Sequence, residues 1–503
     1  MKILSAEQIR EIDAKTVTYE AVSSLELMKR AAKAFYYWFI EKYQDKQASI
    51  LILSGTGNNG GDGIVVARLL SSSGYSVKVC NVEYSKRRSE DCAHNIRRAK
   101  AENVPLLFVS KAEEIPDFSD YAILIDALFG TGLNRDVSGI AHDVILRMNE
   151  SGKTIISIDV PSGLFMDKHT DFAVQAAHTV TFQIPKAALF LPDNAPFTGE
   201  VTLVDIGLSR KAICEAETNW FFQVKENIAA LLKPLSRFAH KGTQGHALII
   251  GGSGGKTGSV CLAAKAALKT GCGLVTAYGP KGLSAVLGSW FPEAMVIEDA
   301  DSDYLSDIAF DIRPDAIGVG IGLGTEPATQ KAFYRFLSGN KQSLVVDADG
   351  LNILSQHKEW LSLLPVGTIL TPHPKELSRL IGSWKNDYDK MDKIHVFVKK
   401  YPVILILKGA YSMIVNNETV YINSSGTPAL ATAGSGDVLT GMIAGLLAQG
   451  YPAIDAARMA VYMHGRTADR TQSVIHPRSF VASDIIDQIG NVYFELDNEL
   501  SIH

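Results

Sequence analysis

Short apolar runs alternate with amphipathic stretches through nearly the whole chain, and this constrains its fold more than any other feature. In the first half the runs at 50–53, 76–81, 122–126, 154–159 and 178–182 read as strands. Residues 21–43 and about 63–72 read as amphipathic helices between them. Strands apolar on both faces must be covered on both, and β–α alternation does this by packing helices over a parallel sheet. The pattern ends near 201–205, and residues 208–228 carry mixed charge without strand rhythm. A second series opens at 246–250 and continues through 316–319, 344–347, 368–370, 403–407 and 413–415. The glycine- and alanine-rich stretch after Ser435 reads as a buried helix. At roughly 100–200 residues per domain, 503 residues allow about two to four domains. The expectation is an α/β protein with domains over 1–215 and 225–503.

Charge and composition exclude several classes. With 49 Lys+Arg against 54 Asp+Glu the net charge is -5, which argues against a dedicated nucleic-acid binder. A local anion site for a nucleotide needs no such surplus. Cys80, Cys92, Cys214, Cys261 and Cys272 form no C-x-x-C pair and fit free thiols in a reducing compartment. The opening MKILSAEQIREID breaks any apolar run, so it is no secretory signal. No stretch of about 18 apolar residues predicts a transmembrane helix. The expected location is the cytoplasm, with no membrane partner.

The run at 50–53 leads into a glycine-rich turn. Gly55, Gly57 and Gly60 satisfy G-x-G-x-x-G, and Glu83 ends the next strand where a ribose-binding acid would sit. This imitates a dinucleotide-binding dehydrogenase. Asn58 and Asn59 count against it, because a simple pyrophosphate turn needs no amides. Asp62 would cap the helix or repel a phosphate bound to the same N–H groups. A tight turn with no ligand is the plain alternative. Asp126 and Asp159 end two further strands, and carboxylates ending neighbouring parallel strands converge on one crevice. They can transfer protons, hold a cation, or only cap. A set of Asn, Asp, Ser and backbone carbonyls is poor in charge and suits a monovalent ion better than Ca²⁺ or Mg²⁺.

NNGGDG, DALFGTGL and DVPSGL, in this order, resemble the NAD(P)H-hydrate epimerase family, the YjeF N-terminal domain. The likeness covers roughly 1–210. It implies a Rossmann-like α/β/α domain and a K⁺ site at Asn59, Asp126 and Ser162. It also implies that the hydrate is held by Asn58, Asn59, Gly60, Gly61 and Asp62, by Gly130, Thr131, Gly132, Leu133, Asn134, Arg135 and Asp136, and by Asp159. Asp159 is the candidate acid/base for interconverting the R and S hydrates at C6. Lys186 either orients the ligand or snorkels at the surface.

The second domain opens on Gly251, Gly252, Ser253, Gly254, Gly255, Lys256 and Thr257. A Walker motif needs a first glycine where Ile250 stands, so that reading fails. The sharper signal is Gly434, Ser435, Gly436 and Asp437 opening a helix. Its first N–H groups form an anion hole, and Asp437 can take a proton from an attacking hydroxyl. An aspartate that only caps is the alternative. Lys408 after a strand can hold nucleotide phosphate, and His373 between two prolines reads as a rigid ligand contact.

GGSGGKTG, GLG, DADGLN, TPHPKEL, LKG and TAGSGDVL together resemble the NAD(P)H-hydrate dehydratase family, over about 230–495, which is ribokinase-like. This implies ADP or ATP as co-substrate, with Mg²⁺ accompanying the nucleotide. It implies hydrate contacts at Ala263, Gly322, His373 and Asp437, and nucleotide contacts at Lys408, Gly409, Ala410, Tyr411, Ser412 and Gly436. Ser259 stands where the family pattern has alanine. The expected function is bifunctional repair of hydrated nicotinamide coenzymes by a homo-oligomer. The alternative enzyme is a small-molecule kinase of the hydroxymethylpyrimidine or hydroxyethylthiazole type fused to a nucleotide-binding regulatory domain. A stable phosphorylated product would support it. A non-catalytic binding module is the third reading for the first domain.

Overall fold

A computed structural model of the chain describes residues 1–500. It divides into two compact units. One is Met1–Thr218 with Asn386–Tyr388, and the other is Asn219–Lys385 with the chain from Asp389 onward.

The first unit holds seven strands: β1 (Ile50–Ser54), β2 (Val77–Val82), β3 (Leu106–Val109), β4 (Ile123–Ala127), β5 (Thr154–Ile158), β6 (His178–Phe182) and β7 (Glu200–Val204). All pairs are parallel, in the order β3-β2-β1-β4-β5-β6-β7. Alternate residues of β1 serve opposite faces. Ile50 and Ile52 pack with Phe35 and Phe39 of helix Ser24–Lys42. Leu51 and Leu53 pack with Val144, Ile145 and Met148 of helix Ile140–Glu150. This is the expected sheet covered on both faces. β3 lies outside the expected set, because it is a four-residue edge strand that is mostly half-exposed.

The glycine-rich segment is helix, not turn. Helix Asn58–Ser72 starts five residues before the expected 63. Its glycines are there for close approach. A Cβ on Gly60 would sit 2.1 Å from the Gly55 carbonyl oxygen, and one on Gly63 would sit 2.5 Å from Ala127 Cβ. Propensity scores these glycines against a helix, and packing against β1 and β4 overrides that. The N-cap is Gly57, so Asp62 lies past the first turn and caps nothing.

The second unit holds β8 (Trp220–Gln223), β9 (His246–Ile250), β10 (Leu274–Gly279), β11 (Met295–Glu298), β12 (Ala316–Val319), β13 (Ser343–Val346), β14 (Ile369–Leu370), β15 (Ile404–Leu407), β16 (Met413–Val415) and β17 (Val420–Asn423). They form one sheet, β11-β10-β9-β12-β13-β14-β15-β16-β17-β8. It is parallel from β11 to β15, β16 runs antiparallel to both neighbours, and β8 pairs parallel with β17. β8 corrects the reading of 208–228 as lacking strands. Its short pattern gains meaning only beside β17, where Phe221 stacks on Tyr421 at 5.3 Å. β10, β11 and β17 are also additions. The helix expected after Ser435 is present as Ser435–Ala448 and is almost wholly buried. It lies against helix Thr257–Lys269 so closely that a Cβ on Gly441 would meet the Ala263 carbonyl oxygen at 2.1 Å. No helix among the described residues is long and apolar enough to cross a membrane.

Both sheets reverse their winding direction once. The chain moves outward through β1, β2 and β3 and then returns to β4. In the second unit it moves through β9, β10 and β11 and returns to β12. The carboxyl ends of β1 and β4, and of β9 and β12, are therefore the switch points, the usual ligand position in such sheets.

Candidate active sites

In the first unit this position is a cavity of about 610 Å³. Asn58, Asn59 and Asp62 line it from the helix after β1. Gly130, Thr131, Gly132, Leu133, Asn134 and Arg135 line it from the loop after β4, and Asp159 and Lys186 join them. Arg10, Asp13 and Val17 contribute from helix Ala6–Tyr19. Three expected contacts are not on this wall. Gly60 and Gly61 are buried in packing, the latter with Met28 Cε 2.7 Å from where its Cβ would be. Asp136 points to solvent, 92% exposed at its side chain. Glu83 pairs with Arg88 at 2.9 Å and does not line the cavity.

Asp126 lies wholly buried beneath the cavity. Oδ1 accepts hydrogen bonds from the Leu128 N–H at 3.2 Å and Ser162 Oγ at 2.5 Å. Oδ2 accepts from Ser157 Oγ and from the Ser162 N–H, each at 2.8 Å. Burial pushes its carboxyl up, and the serines pull it back. The Asn59 amide donates to the Phe129 carbonyl at 2.8 Å, so the three expected cation ligands do meet around residue 129. Their atoms fit a monovalent ion: one carboxylate already satisfied by hydrogen bonds, an amide, a hydroxyl and a carbonyl. The set holds a single carboxylate, and divalent ions usually take more.

Asp159 follows β5 with φ +66°, a conformation that costs a non-glycine residue on the order of 1–3 kcal/mol. Its Oδ1 accepts from Lys186 Nζ at 2.6 Å, the Phe182 N–H at 3.1 Å and Thr181 Oγ1 at 3.2 Å. Lys186 is 2% exposed, which overturns the snorkelling reading. Its ammonium also donates to Thr181 Oγ1 at 2.8 Å and to the Phe182 carbonyl at 3.1 Å. Asp13 ends the opening SAEQIREID, part of the epimerase likeness, but carried no expected role; it sits half-buried on the wall. Burial first, then the Asp159 charge, pushes Asp13 up to about 6, with Lys186 opposing. Burial and the charges of Asp159, Asp13 and Asp91 raise Asp62 well above the carboxylate range.

In the second unit the two switch-point loops are joined. The Gly252 N–H donates to the Ile321 carbonyl at 2.9 Å, and Ser253 Oγ to the Gly322 carbonyl at 2.9 Å. Lys256 is exposed and only 3.7 Å from Asp349, as befits a failed Walker match. Buried Asp347 directly follows β13. Oδ1 accepts from Lys408 Nζ at 2.7 Å and Oδ2 from Thr440 Oγ1 at 2.9 Å, so a carboxylate fixes the lysine ammonium. A Cβ on Gly436 would lie 3.4 Å from that ammonium, so Lys408 reaches the first turn of helix Ser435–Ala448. Buried His464 steadies the same turn, with Nε2 3.0 Å from the Ser435 carbonyl. Burial lowers its imidazole to about 4, which keeps it neutral.

Asp437 sits in that first turn. Burial raises its carboxyl to about 6; a Ser259 hydrogen bond and the Lys408 charge lower it, while Asp347 and Asp349 raise it. Ser259 also borders Gly322, whose Cβ would meet its Cβ at 3.2 Å. Ala263 is corrected here. It is 0% exposed and faces Gly441, so it is a helix–helix contact with no surface for a ligand. One turn earlier on the same helix, Ser259 is the residue that faces the site. His373 is exposed and caps helix Pro374–Ile381, with Nδ1 accepting the Lys375 N–H at 3.1 Å and Nε2 lying 3.3 Å from Glu376 Oε1. Gly409, Ala410, Tyr411 and Ser412 form the turn from β15 to β16, closed by Ser412 Oγ donating to the Gly409 carbonyl at 3.1 Å.

Comparison with known proteins adds the following. A family model described as NAD(P)H-hydrate dehydratase matches residues 247–491. One described as YjeF-related protein N-terminus matches 24–188. The bifunctional NAD(P)H-hydrate repair enzyme Nnr of Moorella thermoacetica is 34% identical, over 99% of this chain and 98% of its own. Its namesake in Coxiella burnetii is 33% identical, over 96% and 97%. A crystal structure of the ADP/ATP-dependent NAD(P)H-hydrate dehydratase of Bacillus subtilis, co-crystallized with ATP/Mg²⁺, is 25% identical with a TM-score of 0.48, covering 56% of this chain and 100% of that one.

Proposed function

This chain belongs to the bifunctional NAD(P)H-hydrate repair enzymes, and on that premise we propose that each unit carries one of the two activities. Residues 1–215 epimerise the R and S hydrates of NADH and NADPH. The second unit, which begins at Asn219 and not at the expected 225 because β8 belongs to its sheet, is the ribokinase-like part and dehydrates the S hydrate at the expense of ADP or ATP. The division of labour makes chemical sense, because a stereospecific second step strands one epimer unless the first step returns it.

In the first cavity the Asn58 and Asn59 amides and the loop from Gly130 to Arg135 hold the dinucleotide. Opening of the C6–O bond leaves positive charge on the ring nitrogen and C6. Asp159, anchored by Lys186, is the catalytic carboxylate that stabilises this charge. K⁺ would be held by Asn59, Asp126 and Ser162, with the Phe129 carbonyl beside them, and would order the loop that carries Gly130.

In the second unit Lys408, Gly436 and the Gly409–Ser412 turn bind the nucleotide phosphates. Gly322, His373 and Ser259 border the hydrate. Asp437 takes the proton of the C6 hydroxyl as that oxygen attacks the terminal phosphorus, releasing AMP or ADP. The phosphate ester then leaves, pushed by the ring-nitrogen lone pair, a proton leaves C5, and NAD(P)H is restored. Mg²⁺ would enter with the nucleotide, held mainly by phosphate oxygens, since the carboxylates here are few and Asp347 is engaged. The reaction belongs to the cytoplasm, and the enzyme works as a homo-oligomer.

The observation that carries this reading is the half-buried Asp437 carboxyl in the same helical turn that the Lys408 ammonium reaches. The test is to incubate purified protein with mixed hydrate epimers and ADP or ATP in turn. Complete recovery of reduced coenzyme with release of inorganic phosphate is expected. A stable phosphorylated product would replace this reading with the small-molecule kinase.

A further inference from the structure

We propose that Asp13, on helix Ala6–Tyr19, is the proton carrier of the epimerisation, and that Asp159 acts as a fixed anion. The inference rests on the epimerase reading of the first unit. Both carboxylates line the same cavity, yet their surroundings differ. Asp159 Oδ1 accepts three hydrogen bonds, one from a buried lysine. That carboxylate is the ion-pair partner of Lys186, which is 2% exposed, so it is held in place by its structural role. Asp13 makes no hydrogen bond or ion pair among the described residues, so a proton can come and go without breaking anything.

The charges acting on Asp13 are those of Asp159 and Lys186, and Asp13 in turn acts on Asp62, while Asp91 and Arg10 line the same cavity. Burial and the Asp159 charge, against the opposing Lys186, keep Asp13 protonated to higher pH than usual, up to about 6, so both of its forms are available near neutrality. Burial, then the charges of Asp159, Asp13 and Asp91, raise the neighbouring Asp62 carboxyl as well.

The ring-nitrogen lone pair forms N1=C6 as the C6–O bond breaks. Asp13 gives its proton to the departing hydroxyl, which leaves as water. Water then forms a C–O bond on the other face of C6, the N1=C6 electrons return to nitrogen, and the excess proton goes back to the Asp13 carboxylate.

The experiment uses the full chain, R/S-hydrate mixtures and ATP. Asp13→Asn should lower kcat for epimerisation by about 100-fold or more with KM little changed. It should also remove the inflection near pH 6 from the kcat profile. Asp13→Glu should restore part of the rate. Dehydration of the S epimer and Tm serve as controls for folding. Asp13→Asn should then consume only the S fraction of the mixture. Epimerisation by Asp13→Asn at near wild-type rate, or an unchanged pH profile, overturns the proposal. A wild-type chain that never exchanges the epimers would instead overturn the epimerase reading itself.

Discussion

The two units share one architecture and oppose each other in electrostatics. Each is a doubly wound sheet whose winding reverses once. In the first, Asp13, Asp62, Asp91 and Asp159 line the cavity, and its buried lysine is tied to one of them. In the second, a lysine fixed from behind by Asp347 reaches a positive helix end. A carboxylate beside the ring favours a cationic ring intermediate, and a cationic helix end favours a transferring phosphoryl group. Topology decides where the ligand goes, and the sign of a few side chains decides what happens to it.

The comparison breaks most visibly at Asp437. Asp437→Ala should abolish nucleotide-dependent dehydration, by about 1,000-fold or more, and leave epimerisation intact, as followed by chromatography of the two hydrates. Near-normal dehydration would remove Asp437 as the base. Potassium should act on the first unit alone. Replacing K⁺ with Na⁺ is expected to slow epimerisation severalfold while dehydration of pure S hydrate stays constant. Equal rates in both salts would reject a working monovalent site.

Two smaller effects sharpen the contrast. Dehydration needs the Asp437 carboxylate, so kcat/KM should fall as the pH drops through about 6. Ser259→Ala removes a hydrogen bond that favours the anion and should move that inflection upward by about half to one pH unit. The smallest change concerns stability. The Asp437 carboxyl titrates near 6 when folded and near 3.8 otherwise. The folded chain therefore binds the proton more tightly, and stability declines as the pH rises through that window and stays lower above it. Asp437→Asn should raise Tm at alkaline pH by about 2–4 °C, and the gain should vanish as the pH is lowered through the same window.

Much of this was legible in the motifs. The acids after strands, the lysine after β15 and the glycine-led helix at Ser435 lie at turns where few residues fit, so local sequence carries the information. What escaped depends on partners distant in sequence. The start of Asn58–Ser72 needed the strands behind it to justify its glycines. Ala263 and Ser259 are one helical turn apart, and only the packing of Gly441 shows which of them points at Asp437. For Lys186 the ligand-orienting and snorkelling readings stood level, and Asp13 carried no role, because charge on an isolated residue says nothing about burial. Their meaning comes from helix Ala6–Tyr19 and the ends of β5 and β6 meeting at one cavity.

Strand β8 has a practical consequence for anyone separating the two activities by truncation. A chain beginning at residue 225 would lack Trp220–Gln223 and leave the backbone of Val420–Asn423 bare along one side. Unpaired strand borders of that kind recruit other chains, so such a fragment should clump or swap strands in solution. A fragment beginning at Asn219 keeps its own border strip and should stay dispersed.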